Sequence, residues 1–600
     1  MSEVDKRKRS IDTEKNLTTM VYDFVLWSLS ITITLFFREI KSRGAFRIPK
    51  SGPVIFVAAP HANQFVDGVV LMNQIFQHSG RRLSYLVAEA SMRRKFVGFM
   101  CRCIMSIGVD RAQDSLKPQT GRIYIGDKNR PDVIKGQGTK FVTEIVPGGL
   151  ISIGSKLGSA EVAQVVSDDE LVLKSAFANQ RGIDALIKDR LEFKFAAKVD
   201  QAHVYRSVYE RLHSGGCIGI FPEGGSHDRP GLLPLKAGVA VMALGTLDRD
   251  INCDLQIVPC GMNYFHPNKF RSRAVVEFGS PFTVPAELVE LYRTGSTGKR
   301  EATQQLLELI TNSLQTVTVT SEDYDTLMVI QAARRLYNPP SQKRMPLSLV
   351  VELNRRLIAG YTQYKDDRRI IHLREAVTSY NKQLQDLGLL DHQVEYASLS
   401  FPVIVSKLVY RSAKLVVLAA GALPGTILFA PVFITTKKIS QRKAAVALKA
   451  SAVKIKARDV VATWKILVAL GFAPALYWFY ALLATWCANR YDLLPAVRPL
   501  WLITVFWLIV LPMITYAALR IGEVGMDIFK SLKPLLIMCL VSQDVIAKLK
   551  QTRHDLAVEV TNLINTLGPE VFPDFERHQQ QLFANIDVEA DDSSESEFDY

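Results

Sequence analysis

The stretch GPVIFVAAPHANQFVDG, residues 52–68, is the part of the sequence that best indicates the fold, and it contains the first candidate catalytic group. Its apolar first half has the length and the β-branched content of a buried strand, which Pro60 ends. His61 follows directly, and Asp67 comes six residues later. A histidine at the end of a buried strand, with a nearby carboxylate, has the parts of a general base whose partner fixes its tautomer. The alternative is a buried structural histidine followed by an aspartate that caps a helix.

The spacing of His61 and Asp67 leaves two arrangements open. Residues i and i+4 share one face of an α-helix, and residue i+6 lies well off that face. Either His61 precedes the helix on a loop, or Asp67 is not its partner. Asn63 lies four residues before Asp67 and is a candidate for the same site.

Strands and helices alternate outward from this stretch, over residues 48–114 and again up to residue 285. This alternation predicts an α/β fold, a sheet covered by helices, whose ligand crevice lies at the carboxyl ends of the strands. Three further polar motifs follow apolar strands in the same way: GVDR at 108–111, FPEGGSHDRP at 221–230 and VPCGMNY at 258–264. Residues 115–195 differ, because short alternating strands separated by Gly, Pro, Asn and Asp predict a β-rich insertion or miniature barrel.

Charge and hydropathy favour a membrane partner. The net charge of +14 suits nucleic acid or an anionic membrane surface. Long apolar segments favour the membrane. The sequence has neither zinc-finger spacing nor a basic stripe with stacking aromatics, the patterns that would favour nucleic acid. Residues 466–487 and 499–519 are predicted spans. The loop at 437–465 holds nine Lys and Arg, which predicts a cytosolic position.

Two apolar segments have basic residues on both sides. Residues 17–37 contain Asp23, and we predict an interfacial or re-entrant helix there. Residues 415–435 carry Pro424-Gly425 at their middle, which favours a re-entrant hairpin, with a kinked span as the alternative.

The seven cysteines have no metal-site or disulfide spacing, so we expect a reducing, cytosol-facing environment and no metal. The predicted organisation is an N-terminal basic segment with its membrane helix at 1–47, an α/β domain at 48–285 with the insertion at 115–195, a helical region at 286–400, membrane segments at 401–545, an amphipathic helical segment at 546–585 and an acidic, disordered tail at 586–600. Serines 593, 594 and 596 lie among acidic residues, so the tail is either a phosphorylation site or only solubilising.

The four motifs, in this order and at these intervals, resemble the glycerolipid acyltransferases, which transfer a fatty acyl group from a thioester to glycerol 3-phosphate or a lysophospholipid. The resemblance covers residues 45–285, and FPEG at 221–224 is its most specific part. The β-rich insertion and the C-terminal membrane segments look like the fungal glycerol-3-phosphate/dihydroxyacetone-phosphate acyltransferases. The resemblance implies an acyltransferase-type mixed sheet and no cofactor, with acyl-CoA as a co-substrate.

The resemblance also implies catalytic roles. His61 is the expected base that takes the proton of the acceptor hydroxyl, and Asp67 is expected to hold its ring. No G-x-S-x-G nucleophile motif is present, and direct attack on the thioester suffices.

The phosphate of the acceptor requires cations and backbone donors. The expected contributors are Arg111, Gly224, Gly225, Ser226 and Lys236. Glu223 is expected to orient Arg111 or the acceptor hydroxyl. The alternatives are a surface ion pair of Arg111 with Asp110 or Asp114 and a solvated position for Lys236.

We therefore predict a multi-pass enzyme of the endoplasmic reticulum membrane, or of the lipid droplet, whose catalytic domain faces the cytosol. It is expected to acylate the sn-1 hydroxyl of glycerol 3-phosphate, dihydroxyacetone phosphate or both, with acyl-CoA and membrane lipids as its partners and no nucleic acid. The alternatives are a lysophosphatidate acyltransferase, a phosphate-binding hydrolase and a non-catalytic membrane scaffold on an acyltransferase fold.

Overall fold

The computed structural model describes residues 3–154, 157–198, 202–229, 231–251, 253–318, 329–330, 333–334, 336–337, 347–387, 391, 401–449, 451, 453–491, 500–540 and 543–572. The chain forms two compact units, each described here by itself. The first comprises residues 1–318 and 441–463, and the second comprises residues 319–440 and 464–600. The predicted acidic tail at 586–600 lies outside the described residues.

The first unit contains an α/β domain with an insertion. Its strands are β1 (Phe37–Arg43), β2 (Val54–Ala59), β3 (Leu83–Ala88), β4 (Ile107–Val109), β5 (Lys117–Pro118), β6 (Arg122–Tyr124), β7 (Val133–Gln137), β8 (Leu150–Ser152), β9 (Ser159–Ser167), β10 (Glu170–Leu173), β11 (Lys194–Ala196), β12 (Cys217–Ile220), β13 (Gln256–Tyr264), β14 (Ser272–Phe278) and β15 (Phe282–Thr283). Its helices are α1 (Glu3–Phe36), α2 (Phe65–Ser79), α3 (Glu89–Met92), α4 (Lys95–Cys103), α5 (Phe141–Glu144), α6 (Gln180–Lys188), α7 (Ala202–His213), α8 (Gly238–Arg249), α9 (Ala286–Arg293) and α10 (Ser296–Gln315).

The main sheet is mixed, as the resemblance implies. Its order is β1-β14-β13-β2-β12-β3-β4, and β15 pairs with β13. The five strands β13, β2, β12, β3 and β4 pair in parallel with their neighbours in this run, and β14 is antiparallel to β13. The carboxyl ends of these five strands therefore meet at one edge of the sheet.

The central strand β2 is wholly buried, which explains why its sequence is apolar without alternation. Ile55 and Val57 belong to a core that they share with α7, α8 and α10, for example through Leu212, Leu247 and Leu306. This core fixes β2, and with it the start of the loop that carries His61.

The insertion has a separate seven-stranded antiparallel sheet with the order β5-β11-β8-β9-β10-β7-β6. Ile123 in β6 and Leu191 just before β11 exchange two backbone hydrogen bonds of 2.8 and 2.9 Å, which bring the far end of the sheet back to β11. The result is a small barrel around its own buried core, which includes Ile134, Ile151 and Leu171. Two short helices, α5 and α6, accompany the predicted strands.

Helix α1 has two apolar faces. Leu26, Leu29 and Ile33 are buried, whereas Phe24 and Trp27 are about two-thirds exposed. Two polar contacts attach the helix to the start of β3: the Tyr22 hydroxyl lies 3.0 Å from the backbone N and O of Leu83, and Arg82 donates two hydrogen bonds of 2.8 and 2.7 Å to Asp23. The helix runs from residue 3 to residue 36 without a reversal, so the re-entrant alternative for this segment is wrong.

The second unit is helical in its described residues. Its helices are α11 (Leu347–Tyr364), α12 (Arg368–Leu387), α13 (Phe401–Lys449), α14 (Arg458–Arg490), α15 (Trp501–Leu540) and α16 (Gln543–Val571). The end of α13 and the start of α14 belong to the first unit. Helices α11, α12 and α16 share a core that includes Leu353, Val377, Tyr380, Leu556 and Val560.

Four helices of the described chain are long and apolar enough to cross a membrane: residues 17–36 of α1, 402–449 of α13, 458–490 of α14 and 501–532 of α15. The predicted hairpin at Pro424-Gly425 is wrong, because α13 continues through Pro424 and Pro431. Gly425 serves close packing instead: a Cβ there would lie 2.4 Å from the Cβ of Ala518 in α15. These helices associate the chain with a membrane.

Candidate active site

The four polar motifs meet at one edge of the main sheet. His61 follows β2, Glu223 follows β12, Arg111 follows β4, and Tyr264 is the last residue of β13. Because β2 lies between β12 and β13, the loop with His61 is flanked by the loop with Glu223 on one side and by Tyr264 on the other.

His61 and Asp67 form a close pair. His61 Nδ1 lies 2.8 Å from Asp67 Oδ2, and the Asp67 carboxylate is wholly buried. Helix α2 begins only at Phe65, so His61 lies on the preceding loop and Asp67 in the first turn. The first of the two arrangements left open by the spacing is therefore the one that the chain adopts.

The Asp67 carboxylate has three hydrogen-bond partners, of which His61 is one. Its Oδ2 also accepts a hydrogen bond of 2.8 Å from the backbone N–H of Asn63, and its Oδ1 accepts one of 2.6 Å from the Tyr264 hydroxyl. Asp67 thus has three hydrogen-bond donors in a buried place. Asn63 thus shares the site through its backbone, and its side chain is wholly buried.

The contact with Asp67 fixes the tautomer of His61. Because a carboxylate only accepts, Nδ1 carries the proton, and in the neutral ring Nε2 has a free lone pair. The ring stacks on Phe221 with a centroid distance of 4.3 Å, and 16 % of the side chain is exposed. The imidazole is therefore held by these two contacts and is still accessible to a substrate.

Tyr264 is a functional residue that sequence reasoning missed. Burial, and then the neighbouring Asp67 charge, raise the pKa of its hydroxyl well above 10. The hydroxyl therefore stays protonated and donates to Asp67. The available signal was its position at the end of the motif VPCGMNY, where an apolar strand reaches the same edge.

Glu223 differs from its prediction. Its carboxylate accepts hydrogen bonds from the backbone N–H of His61 (2.6 Å) and of Leu233 (3.0 Å), and it lies 2.8 Å from His227 Nε2. Burial raises the pKa of Glu223, but these hydrogen bonds outweigh burial and lower it. Glu223 therefore orients the His61 backbone, and its oxygens are engaged with these groups rather than with Arg111.

Ser226 also differs from its prediction. It is buried, and its hydroxyl donates a hydrogen bond of 2.5 Å to Asp459 Oδ2. Because that hydroxyl is already engaged, it is not available to a substrate phosphate. Asp459 lies 233 residues downstream, in a segment that no sequence motif indicated.

Arg111, Lys236 and the two glycines form the other half of the site. Partial burial and then the nearby Arg111 charge lower the pKa of Lys236. Gly224 has a φ of +72°, and a Cβ there would lie 2.4 Å from Lys236 Cε, so the lysine stem covers this glycine closely. Gly225 is exposed, and a Cβ there would meet nothing within 4 Å.

The two cations have no counter-charge in direct contact, although the nearby Asp114 charge acts on Lys236 and raises its pKa against the two larger effects. In the described part of the chain, neither Arg111 nor Lys236 has a carboxylate within 4.0 Å. Asp110, a predicted alternative partner of Arg111, lies instead 3.6 Å from Arg93. Two neighbouring cations beside an open glycine loop are the arrangement that a phosphate stabilises.

Two thiols near the sheet are unsuited to covalent chemistry. Cys260 is wholly buried, and burial raises its pKa well above 9. Burial also raises the pKa of Cys217 to about 11. Since the thiolate is the nucleophile, neither residue competes with direct acyl transfer.

Comparisons with known proteins identify the family of this chain. Residues 329–572 match the family described as glycerol-3-phosphate acyltransferase 2 C-terminal domain, and residues 170–263 match the acyltransferase family. The sequence is 50 % identical over 93 % of this chain and 82 % of its relative to an uncharacterized acyltransferase of Schizosaccharomyces pombe. It is 46 % identical to glycerol-3-phosphate O-acyltransferase 1 of Saccharomyces cerevisiae, over 96 % of this chain and 75 % of that protein.

Glycerol-3-phosphate O-acyltransferase 2 of the same yeast is 42 % identical, over 95 % of this chain and 80 % of that protein. Among solved structures, the 1-acyl-sn-glycerophosphate acyltransferase PlsC of Thermotoga maritima matches 51 % of this chain and 83 % of its own, with a TM-score of 0.25 and 11 % identity. Given this identity to the two yeast enzymes over most of both chains, the protein belongs to the glycerol-3-phosphate O-acyltransferase family.

Proposed function

We propose that the chain is an acyl-CoA-dependent acyltransferase that acylates the sn-1 hydroxyl of glycerol 3-phosphate and gives lysophosphatidate. The observation that carries the proposal is the contact of 2.8 Å between His61 Nδ1 and the buried Asp67, at the same sheet edge as Arg111 and Lys236. A base and a phosphate site at one edge of the sheet are what this reaction requires.

The reaction is a direct transfer in this proposal. His61 Nε2 accepts the proton of the acceptor hydroxyl while the hydroxyl oxygen attacks the thioester carbonyl carbon. Asp67 stabilises the imidazolium that forms. The tetrahedral intermediate then breaks its carbon–sulfur bond, and the departing thiolate of coenzyme A takes the proton back from His61. A base positioned in this way contributes about 10²–10⁴-fold to the rate.

The acceptor is anchored by its phosphate. Arg111 offers a planar guanidinium, Lys236 offers an ammonium, and the exposed Gly225 lets the backbone approach an anion. These groups contact the phosphate and not the carbon that distinguishes glycerol 3-phosphate from dihydroxyacetone phosphate. We therefore expect both acceptors to be used and to compete.

The test is the formation of labelled lysophosphatidate from glycerol 3-phosphate and palmitoyl-CoA in membranes that carry either wild type or His61→Ala. We expect a loss of about 10²-fold or more in His61→Ala at equal protein amount. His78→Ala is a matched control, because His78 is exposed at the end of α2 and contacts Ser42. Equal activity of His61→Ala and wild type would refute the mechanism.

The same assay with lysophosphatidate as acceptor addresses the alternative substrate. A wild-type enzyme that acylates lysophosphatidate and not glycerol 3-phosphate would replace the proposed acceptor. Activity on neither acceptor would favour the non-catalytic scaffold, and release of free fatty acid or phosphate without an acylated product would favour the hydrolase.

We also propose that the site faces the cytosol, from the endoplasmic reticulum membrane or the surface of a lipid droplet. The basic loop at 437–465 favours the cytosolic side. Within this loop, the backbone N–H groups of Ile455 and Lys456 contact Asp228 beside the active site, which supports the proposal that the loop and the site share one side of the membrane. Protease added to sealed microsomes should cut the α/β domain, and its protection would contradict this orientation.

A further inference from the structure

Residues 453–463 comprise the chain just before α14 and the first turns of that helix, and we call this segment the strap. It lies nearly 400 residues after His61 in sequence, yet it belongs to the same compact unit as the active site. The strap contacts both loops that build the base, the one after β2 and the one after β12. None of the motifs that carry the chemistry lies in it.

The first contact is a buried charge cluster. Lys454 Nζ donates to the Ser226 carbonyl oxygen (2.7 Å) and forms an ion pair with the Asp459 carboxylate, which also accepts the Ser226 hydroxyl. The Asp459 side chain is wholly buried, and that of Lys454 is 9 % exposed. A buried pair of this kind fixes geometry, and removal of one partner leaves the other charge uncompensated.

The second contact is a nest of backbone donors around Asp228. The N–H groups of Ile455 (2.7 Å), Lys456 (2.7 Å) and Arg458 (3.2 Å) all donate to its carboxylate. Although burial raises the pKa of Asp228, these donors outweigh burial and lower it. Asp228 therefore remains charged and holds the strap at neutral pH.

Both contacts lead to His61. Between Ser226 and Asp228, the backbone N–H of His227 donates to the His61 carbonyl oxygen at 3.0 Å. At the other end of the strap, the Thr463 hydroxyl donates to the Asn63 carbonyl oxygen at 2.9 Å. The backbone of His61 is thus bonded to the loop after β12 through His227, and its own loop is bonded to the strap through Asn63.

We propose that the strap is a positioning element of the active site, in which Lys454, Asp459 and Thr463 hold the two loops so that His61 meets the acceptor hydroxyl. Its residues act through Ser226, Asp228 and Asn63 and touch no reacting atom. This inference rests on the proposed function, and it makes the start of a candidate membrane helix, α14, part of the catalytic unit.

The first test is kinetic, on full-length enzyme purified in detergent. Asp459→Asn keeps the side-chain size and removes the charge. We expect kcat per folded molecule to fall at least about tenfold, because a misplacement of 1 Å costs about 10²-fold, while KM for glycerol 3-phosphate stays within about threefold. Asp228→Asn and Thr463→Val are milder, nearly isosteric variants that keep the proposal testable if Asp459→Asn does not fold, and each should lower kcat by a smaller factor.

Asp391→Asn is the matched control. Asp391 is also a buried carboxylate with a basic partner, Arg553, and it accepts the Tyr380 hydroxyl at 2.8 Å, but it belongs to the second unit. We expect this variant to lower the thermal stability without changing kcat per folded molecule. An equal fall of kcat in Asp391→Asn and in the strap variants would overturn the proposal.

The second test does not depend on activity. Hydrogen–deuterium exchange of peptides that cover residues 60–64 and 223–229 should become faster in the strap variants and stay unchanged in Asp391→Asn. Unchanged exchange, or faster exchange with unchanged kcat, would overturn the proposal. A wild type without lysophosphatidate formation would refute the proposed function, and the exchange measurement would then decide whether the strap holds these loops.

Discussion

The base side and the cation side of the active site differ in how completely their charges are satisfied. On the base side, Asp67 accepts three hydrogen bonds, and His61 is fixed by Asp67, by Phe221 and through its own backbone. On the cation side, Arg111 and Lys236 are neighbours with no carboxylate within 4.0 Å in the described chain, and their mutual repulsion contributes to the lowered pKa of Lys236.

From this difference we infer that the base side is preorganised and that the substrate completes the cation side. The hydrogen bonds of the base side are complete before the acceptor binds, so its residues should determine kcat. The cation side has no carboxylate within 4.0 Å in the described chain, and the acceptor phosphate supplies the counter-charge in direct contact, so its residues should determine KM. Substitutions on each side test this division.

Asp67→Asn should lower kcat by about 10²-fold or more, because an amide no longer stabilises the imidazolium and no longer fixes the tautomer of His61. KM for glycerol 3-phosphate should change little. Steady-state kinetics with palmitoyl-CoA at saturation measure both constants. A large rise in KM at unchanged kcat would place Asp67 on the wrong side of the division.

Arg111→Ala should raise KM for glycerol 3-phosphate roughly 10- to 100-fold, since charge-assisted hydrogen bonds contribute about 1.5–3 kcal/mol each. We expect kcat to remain near its wild-type value. Arg130→Ala is the control, because Arg130 is an exposed arginine of the insertion that lies 3.4 Å from Asp132. If Arg130→Ala raised KM as much as Arg111→Ala, the effect would come from the overall charge of the protein and not from a contact with the phosphate.

Lys236 should make KM dependent on pH. Its folded-state pKa is lowered, so it loses its charge as the pH rises through a value below the usual 10.5, and phosphate binding weakens there. We expect KM to rise at alkaline pH below 10.5, and the rise to be smaller in Lys236→Arg, since arginine keeps its charge there. Identical profiles in both enzymes would exclude Lys236 as the titrating group.

Tyr264→Phe should lower kcat roughly twofold to tenfold, which corresponds to one hydrogen bond of about 0.5–1.5 kcal/mol. The effect is small because Asp67 keeps its contacts with His61 and with the Asn63 backbone. Tyr209→Phe, on α7, is a control that should leave kcat unchanged. A loss as large as that in Asp67→Asn would mean that Tyr264 does more than hold the carboxylate.

The strand-end motifs and the mixed sheet were predictable from sequence, because buried strands leave apolar runs and parallel strands gather their carboxyl ends. The pairing of His61 with Asp67 was ambiguous, because the spacing does not tell whether a helix starts at residue 61 or at residue 65. The structure resolves the ambiguity with a loop that ends at Phe65.

The partners of Glu223 and Ser226 were beyond sequence reasoning. Both residues lie in a motif whose glycines indicate an anion site. Besides His227 within the motif, their side chains contact distant groups that the motif does not contain: the His61 backbone and Asp459. Contacts over more than 150 residues depend on packing, which no local pattern encodes. The predicted hairpin at Pro424 was wrong for a related reason, because the glycine beside it packs against Ala518.

The most direct test of this division is a measurement of kcat and KM for glycerol 3-phosphate, determined for wild type, Asp67→Asn and Arg111→Ala in one preparation. We predict that kcat falls in Asp67→Asn at nearly constant KM, and that KM rises in Arg111→Ala at nearly constant kcat. Parallel changes of both constants in both variants would contradict the division between a finished base side and a cation side that the substrate completes.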